Sequence, residues 1–332
     1  MILQAIISSA FLLGASPPSV KPVYRVTVLP ELPGGDYSSA AAINGRGDVV
    51  GLCSTGKTLV EGLLRDTRAV LWRDGKAIDL IGKSQSSPAA FAVNDLDQVL
   101  IQPQYIGASR PGSIPPPMPY VVLWEVGKTR LWKDPSQFRP QAINNHGDLA
   151  GFSGGFAQTL IGEKIESLIP PVDKAQAWGW SINDAGMVGG TFQVGVTSRG
   201  FITTGGKLLD PVPETTECFG GFRVSPIGHA AEAARTSSRS TYLFLWKEGA
   251  VQNLVPLGRY GSVSGINSKD QIVGNANGLP FLFSQGRLFH MGEVVHDKRM
   301  VVETVTGINE AGQISASARI GNRYHAVRLD PI

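Results

Sequence analysis

The sequence predicts an all-β fold, a seven-bladed β-propeller of four-stranded antiparallel blades. Three observations carry this. One turn motif recurs along nearly the whole chain, and several short apolar stretches separate successive copies. The composition is also rich in turn-formers, with 40 glycines and 22 prolines in 332 residues, while hydrophobic residues still make up 42%. That balance suits many short strands joined by turns and is too apolar for a disordered chain.

The motif reads "SINDAGMVGGTF" at residues 181–192, with near-copies starting at Ala42, Gly265 and Gly307. Its asparagine serves as a ruler. It falls at Asn44, Asn94, Asn144, Asn183, Asn267 and Asn309, with Ser225 filling the slot in "FRVSPIGHAAEA". The intervals are 50, 50, 39, 42, 42 and 42 residues, which makes seven units of blade-like length.

Each unit divides into strands A to D. Strand A ends at the asparagine, whose side chain bonds backbone amides two residues along in a type I turn. A glycine three residues on takes the left-handed conformation and gives a hairpin with a G1 bulge. Asn44 with Gly47, Asn144 with Gly147, Asn183 with Gly186 and Asn309 with Gly312 fit this role, as does Gly228. Asp97 and Asp270 replace the glycine after Asn94 and Asn267; short polar side chains tolerate that backbone better than β-branched ones. The A–B turns are therefore expected near residues 45, 95, 145, 184, 226, 268 and 310. Strand B is rich in Val, Ile and Gly. Strand C is the apolar run "RAVLW", "PYVVLW", "TYLFLW" or "LPFLF", with Trp72, Trp124 and Trp246 directed to the core. A W-x-x-G turn, as from Trp72 to Gly75, leads into strand D and is expected to share the build of the A–B turn.

The last unit stops after three strands, and "VYRVTVLPEL" at residues 23–32 precedes the first unit without a partner. The N-terminal segment is expected to supply strand D of the last blade and so remove an exposed edge. The domain spans residues 23–332, after a linker at 17–22. Residues 1–16 resemble a signal peptide, apolar from Ala5 to Ala15 and too short for a comfortable membrane span. The expected protein is exported to the periplasm or beyond, with no integral membrane domain after signal removal, and monomeric.

These features resemble the HAF repeat family of bacterial extracellular repeats. The family pattern runs A-x-x-I-N-x-x-G-x-V-V-G, then H-A-F-L-W, then G-x-x-x-D-L-G, matched by "AAINGRGDVVG…AVLWRDGKAIDLIG" at residues 41–82. The tripeptide itself departs: His325-Ala326 is followed by Val327, and other units read Arg68-Ala69-Val70 or Arg199-Gly200-Phe201. The resemblance implies an exported, propeller-like repeat protein and transfers no catalytic residues.

Function is expected on the face carrying the B–C loops and D-to-A links, which holds the length changes at residues 54–68, 102–119, 192–199 and 233–240. Aromatics recur there six or seven residues before the ruler: Tyr37, Phe138, Phe219 and Tyr260, with Trp178 close by. Flat apolar rings with polar neighbours suit a carbohydrate or a peptide. The expected function is a non-enzymatic binding or interaction propeller. The alternatives are a polysaccharide-acting hydrolase or lyase and a structural part of a surface assembly. For catalysis Glu214 and Glu217 are the paired carboxylates to consider. No Cys/His spacing suggests a metal, and no cofactor motif occurs. Charge is +3 without a Lys/Arg run, so nucleic acid is not expected. Cys53 and Cys218 are expected as packed thiols. "RGD" at residues 46–48 reads more simply as turn and strand start than as an adhesion tripeptide.

Overall fold

The computed structural model describes residues 21–60, 64–82, 87–102, 121–131, 138–168, 170, 175–212, 215, 217–236 and 239–332. Seven antiparallel sheets are arranged as the blades of a propeller, with strand A of each lining a central channel. Blade 1 runs Ser38–Ile43, Val49–Val60, Leu64–Arg73 and Lys76–Asp79; blade 6 runs Gly261–Ile266, Ile272–Ala276, Leu279–Ser284 and Arg287–His290. The helical element Met291–Val294 links blades 6 and 7. Blade 7 takes Met300–Ile308, Ile314–Ile320 and Arg323–Pro331 from the C-terminus, and Tyr24–Val28 pairs antiparallel with the last of these. Ring closure is thus non-covalent, as the sequence predicts. Tyr24 is buried beneath it, and burial pushes its phenol up to about 12. Residues 1–16, expected as a signal peptide, and residues 103–119 lie outside the described residues.

The repeated asparagine does more than start a turn. Asn144 Oδ1 accepts from the amides of His146 and Asp148 at 2.9 and 2.8 Å, while Nδ2 donates to the Asn183 carbonyl of the next blade at 3.0 Å. Asn44, Asn94, Asn183, Asn267 and Asn309 make the same link to the next blade, at 2.8–3.1 Å. The last of these runs from Asn309 to Asn44 and joins the two ends of the chain. A second ring lies one residue on. The Gly45 amide donates to Asp95, Asp95 to Asn145, Asn145 to Asp184 and Ser268 to Glu310, at 2.8–3.0 Å. The first ring breaks after blade 5; the second breaks there and also between blades 7 and 1, where Gly45 has no side chain to accept from the Glu310 amide. Ser225 has no side-chain amide to donate to the next blade, and its hydroxyl accepts from the His229 amide; Pro226 has no N–H at all.

The two aspartates in glycine slots are explained by the same interfaces. Asp97 and Asp270 hold φ of 63° and 55°. Asp97 pairs with Arg46 and Arg73 of blade 1; Asp270 meets His229 Nδ1 at 2.6 Å and Lys247 at 3.4 Å, both in blade 5. Links to the preceding blade offset the unfavourable backbone. Arg46 and Asp48 of the "RGD" stretch belong to this network, paired at 3.0 Å.

Every A–B pair but that of blade 5 carries a bulge at the same place, as between Ala40 and Ala42 or Pro140 and Ala142. Beside it the V-V-G glycine of four blades lies close under strand A, while blades 2 and 7 carry the same bulge with Ile101 and Ala316 at that position. A Cβ on Gly51, Gly151, Gly190 or Gly274 would fall on a strand A carbonyl oxygen. Apolar layers fill the spaces between blades: Val50, Ala69 and Leu71 of blade 1, for instance, pack against Ala90, Val99 and Ile101 of blade 2.

Two expectations are corrected. The C–D turns are not built like the A–B turns. Asp74-Gly75, Val126-Gly127, Glu248-Gly249 and Gln285-Gly286 have positive φ at both central residues, the I′ geometry that matches strand twist in two-residue hairpins. Residues 192–199 are no variable loop but a tight hairpin between Val188–Val194 and Thr197–Thr204.

The broken ring makes a stability prediction. Ser225→Asn restores the missing donor toward the Asn267 carbonyl and should stabilise the protein by about 1 kcal/mol, measured by denaturant unfolding. A loss of stability would show that the blade 5–6 interface does not follow the rule of the others.

Candidate functional site

Blade 5 is where the repeat fails most. Its strand A is split into Glu217–Cys218 and Arg223–Val224, and Phe219 to Phe222 leave the sheet between them. Gly220 and Gly221 make the excursion possible, with φ of 100° and 72°. Facing the gap from strand B is Glu232, at the repeat position held by the four glycines named above. Blades 2 and 7 hold Ile101 and Ala316 there without a split, so size alone does not account for it.

Glu232 is fully buried between blades 4 and 5. Cys218 Sγ donates to its Oε2 at 2.9 Å, and Oε1 has no hydrogen-bond partner among the described residues. Burial pushes the carboxyl up to about 8, so it is mostly protonated at neutral pH. The Asp210 charge adds to that rise, while the Cys218 bond and Arg199 oppose it. Cys218 is in turn held well above the usual thiol range by burial and by the nearby carboxyl. Cys53 and Cys218 are both free and buried.

On the loop face, the split brings four side chains of blade 5 and the link to blade 6 together. Phe219 and Tyr260 meet edge to face with centroids 6.2 Å apart. Arg235 lies 5.1 Å from the Phe219 ring and 5.7 Å from that of Tyr260; Arg259 lies 5.3 Å from the latter. Arg235 pairs with Glu217 at 2.6 Å and donates to the Arg259 carbonyl at 3.1 Å. Asn277 Oδ1 accepts from the Arg259 and Tyr260 amides at 2.9 and 3.1 Å, which fixes the link. Tyr260 is 51% exposed. Asn277 also lines a neighbouring cavity of about 260 Å³ with Pro256, Leu257, Leu279, Leu288 and His290.

The other aromatics singled out in the sequence lie apart from this cluster. Phe138 is 1% exposed and packs in the core between blades 2 and 3, where it offers no face to a ligand. Tyr37 stands edge to face with Tyr324 across blades 1 and 7. Trp178 is partly buried in strand A of blade 4. Of the proposed acids, Glu217 is occupied by Arg235 and Glu214 lies outside the described residues.

The central channel has two chambers. One lies at the A–B turns and is lined by the asparagine ring with Asp95, Asp184 and Glu310; the other, of about 320 Å³, lies toward the loop face. Ile43, Val93, Ile143, Ile182, Val224, Ile266 and Ile308, each one residue before the ruler, line both and form an apolar collar between them. Arg223 stands in the loop-side chamber. Reading the sequence for aromatics missed it; its signal was a large charged residue in a slot that is otherwise Ala, Ser or Gly. Among the described residues no group of three or more His, Cys, Asp or Glu is placed to hold a metal ion.

No protein-family model matches the chain, and no curated protein matches it. Solved structures do. An extracellular domain assigned to a one-component system of B. thetaiotaomicron is 10% identical with a TM-score of 0.52, over 92% of this chain and 39% of that one. The chain therefore spans well under half of that protein's length. YCF48 bound to the D1 peptide is 10% identical with a TM-score of 0.53, over 92% of this chain and 96% of that one. At such identity the likeness is one of fold, which is the propeller described above. No helix among the described residues is long and apolar enough to cross a membrane.

Glu232 gives a pH prediction. Its folded pKa, about 8, lies above the unfolded value near 4.5. The fold is unpenalised below the unfolded value. As pH rises from there to the folded value, the unfolded state alone ionises and stability falls, by an amount on the order of a few kcal/mol. Glu232→Gln should therefore gain on wild type across that window in urea unfolding. Parallel stability curves for the two proteins would contradict a raised pKa.

Proposed function

We propose that this chain is a non-enzymatic binding propeller that takes a peptide segment on its loop face, at the junction of blades 5 and 6. The observation that carries this is the Phe219–Tyr260–Arg235–Arg259 cluster beside the apolar crevice at Leu257 and Leu279. An exposed aromatic pair backed by guanidinium groups offers stacking area and hydrogen-bond donors. The adjoining crevice suits an apolar side chain, which a peptide supplies and a sugar does not. Glu217, as partner of Arg235, holds that guanidinium against the rings and is not free to act as a catalytic base. The resemblance to HAF repeats and the apolar residues 5–15 support export to the periplasm or the exterior, where such a peptide would be met.

A combined peptide and glycan array on the purified protein tests this, followed by titration of the best peptide. Tyr260→Ala should weaken binding roughly tenfold, while Trp178→Ala, on blade 4, should leave it unchanged. Glycan binding without peptide binding, or a Tyr260→Ala protein that binds as wild type, would overturn the reading.

A further inference from the structure

The position two residues before the ruler forms a ring within the loop-side chamber. Six blades fill it with Ala42, Ala92, Ala142, Ser181, Gly265 and Gly307, and blade 5 fills it with Arg223. The other blades show that the ring closes without any such side chain. Among the described residues no other charged residue lines the chamber, and the acids Asp95, Asp184 and Glu310 line the chamber at the opposite end.

Arg223 is poorly satisfied by the protein. Its Nη1 donates to the Trp180 carbonyl at 3.3 Å, and no carboxylate among the described residues forms an ion pair with it. A guanidinium has five N–H donors in a planar fork, so most of this one's capacity is unused. Burial lowers its pKa from the usual value, yet an arginine stays charged at any physiological pH. The side chain is only partly buried, so the N–H groups it does not use within the protein remain accessible from the chamber to an anion. Around it Phe91, Trp180 and the collar of Ile and Val offer apolar surface, while Gln141, Ser181, Ser264 and Thr306 add polar groups, so that polar surface is the larger share of the lining.

We propose that the loop-side chamber binds a carboxylate carried on an apolar body, with Arg223 as its bidentate partner and the collar as the seat of the apolar part. The fork of a guanidinium matches a carboxylate with two parallel hydrogen bonds. A chamber of about 320 Å³ is at the small end of ligand pockets. A multiply charged anion such as phosphate finds one cation among the described residues there, and its remaining charge would go unpaired. Two sources share the favoured chemistry, a free monocarboxylic acid and the C-terminal carboxylate of a peptide. The site is separate from the loop-face cluster and does not depend on it.

Titrations of the full chain in low-chloride buffer, followed by tryptophan fluorescence and calorimetry, test the proposal. The probes are hexanoate against hexanamide, the tripeptide Ala-Val-Leu as free acid against its C-terminal amide, and inorganic phosphate. At least one of the two acids should bind, with its amide weaker by roughly tenfold or more. Hexanoate alone would identify a free acid as the source; the peptide acid alone would identify a chain terminus. Arg223→Ala, which installs the residue blades 1–3 carry, should abolish binding and melt no lower than wild type. Arg223→Gln keeps the length of the side chain without its charge and gives the same readout should the alanine variant fail to fold. The proposal is overturned if neither acid binds at about 10 mM, if the neutral variants bind as wild type, or if phosphate binds more tightly than both acids.

Discussion

One hydrogen bond, from an asparagine side chain to the main-chain carbonyl of the next blade, sets the geometry of this molecule. The same side chain closes its own hairpin through Oδ1 and reaches its neighbour through Nδ2. Local turn and global ring are therefore specified by one residue. With its carbonyl buried in the channel wall, each turn needs a donor from the blade before it, and a missing donor leaves an unsatisfied group. The backbone bond one residue further on repeats the constraint with a different pair of atoms. Bulge, V-V-G glycine and inter-blade apolar layers are all placed relative to that ring.

Blade 5 shows what happens when the constraint is lifted. Ser225 and Pro226 remove both donors, strand A leaves the sheet for four residues, and unusual side chains gather nearby. Glu232 is buried with an unpaired oxygen, Arg223 enters the channel, and Phe219 and Arg235 meet Tyr260 on the loop face. Six blades keep the repeat, and blade 5 gathers the side chains on which both proposals rest. The channel proposal uses Arg223, which stands where the other blades carry Ala, Ser or Gly, whereas the loop-face proposal uses the recurring aromatic position, filled here by Phe219 and Tyr260.

Much of this architecture could be read from the sequence, because a repeat states the same local physics seven times. Blade number, A–B turn positions and closure by residues 24–28 all follow from the asparagine spacing and from the unpaired strand at each end. What escaped is what one strand cannot show about its neighbour. The Nδ2 bond between blades is invisible from spacing. So is the pairing of Asp97 with Arg46 and Arg73, which makes a left-handed aspartate acceptable. Phe138 and Tyr260 occupy similar repeat positions, yet one is core and the other exposed, since burial depends on the adjoining blade. The channel arginine was legible in principle, as a departure from the small residue expected two places before the ruler.

Amide hydrogen exchange on Asn144→Ala, compared with wild type, tests the claim that the asparagine couples blades as well as closing its own turn. If it does both, protection falls at the His146 and Asp148 amides of blade 3 and also at the A–B turn of blade 4 around Asn183, whose carbonyl loses its donor. Loss confined to blade 3, with the Asn183 turn as protected as in wild type, would contradict the account.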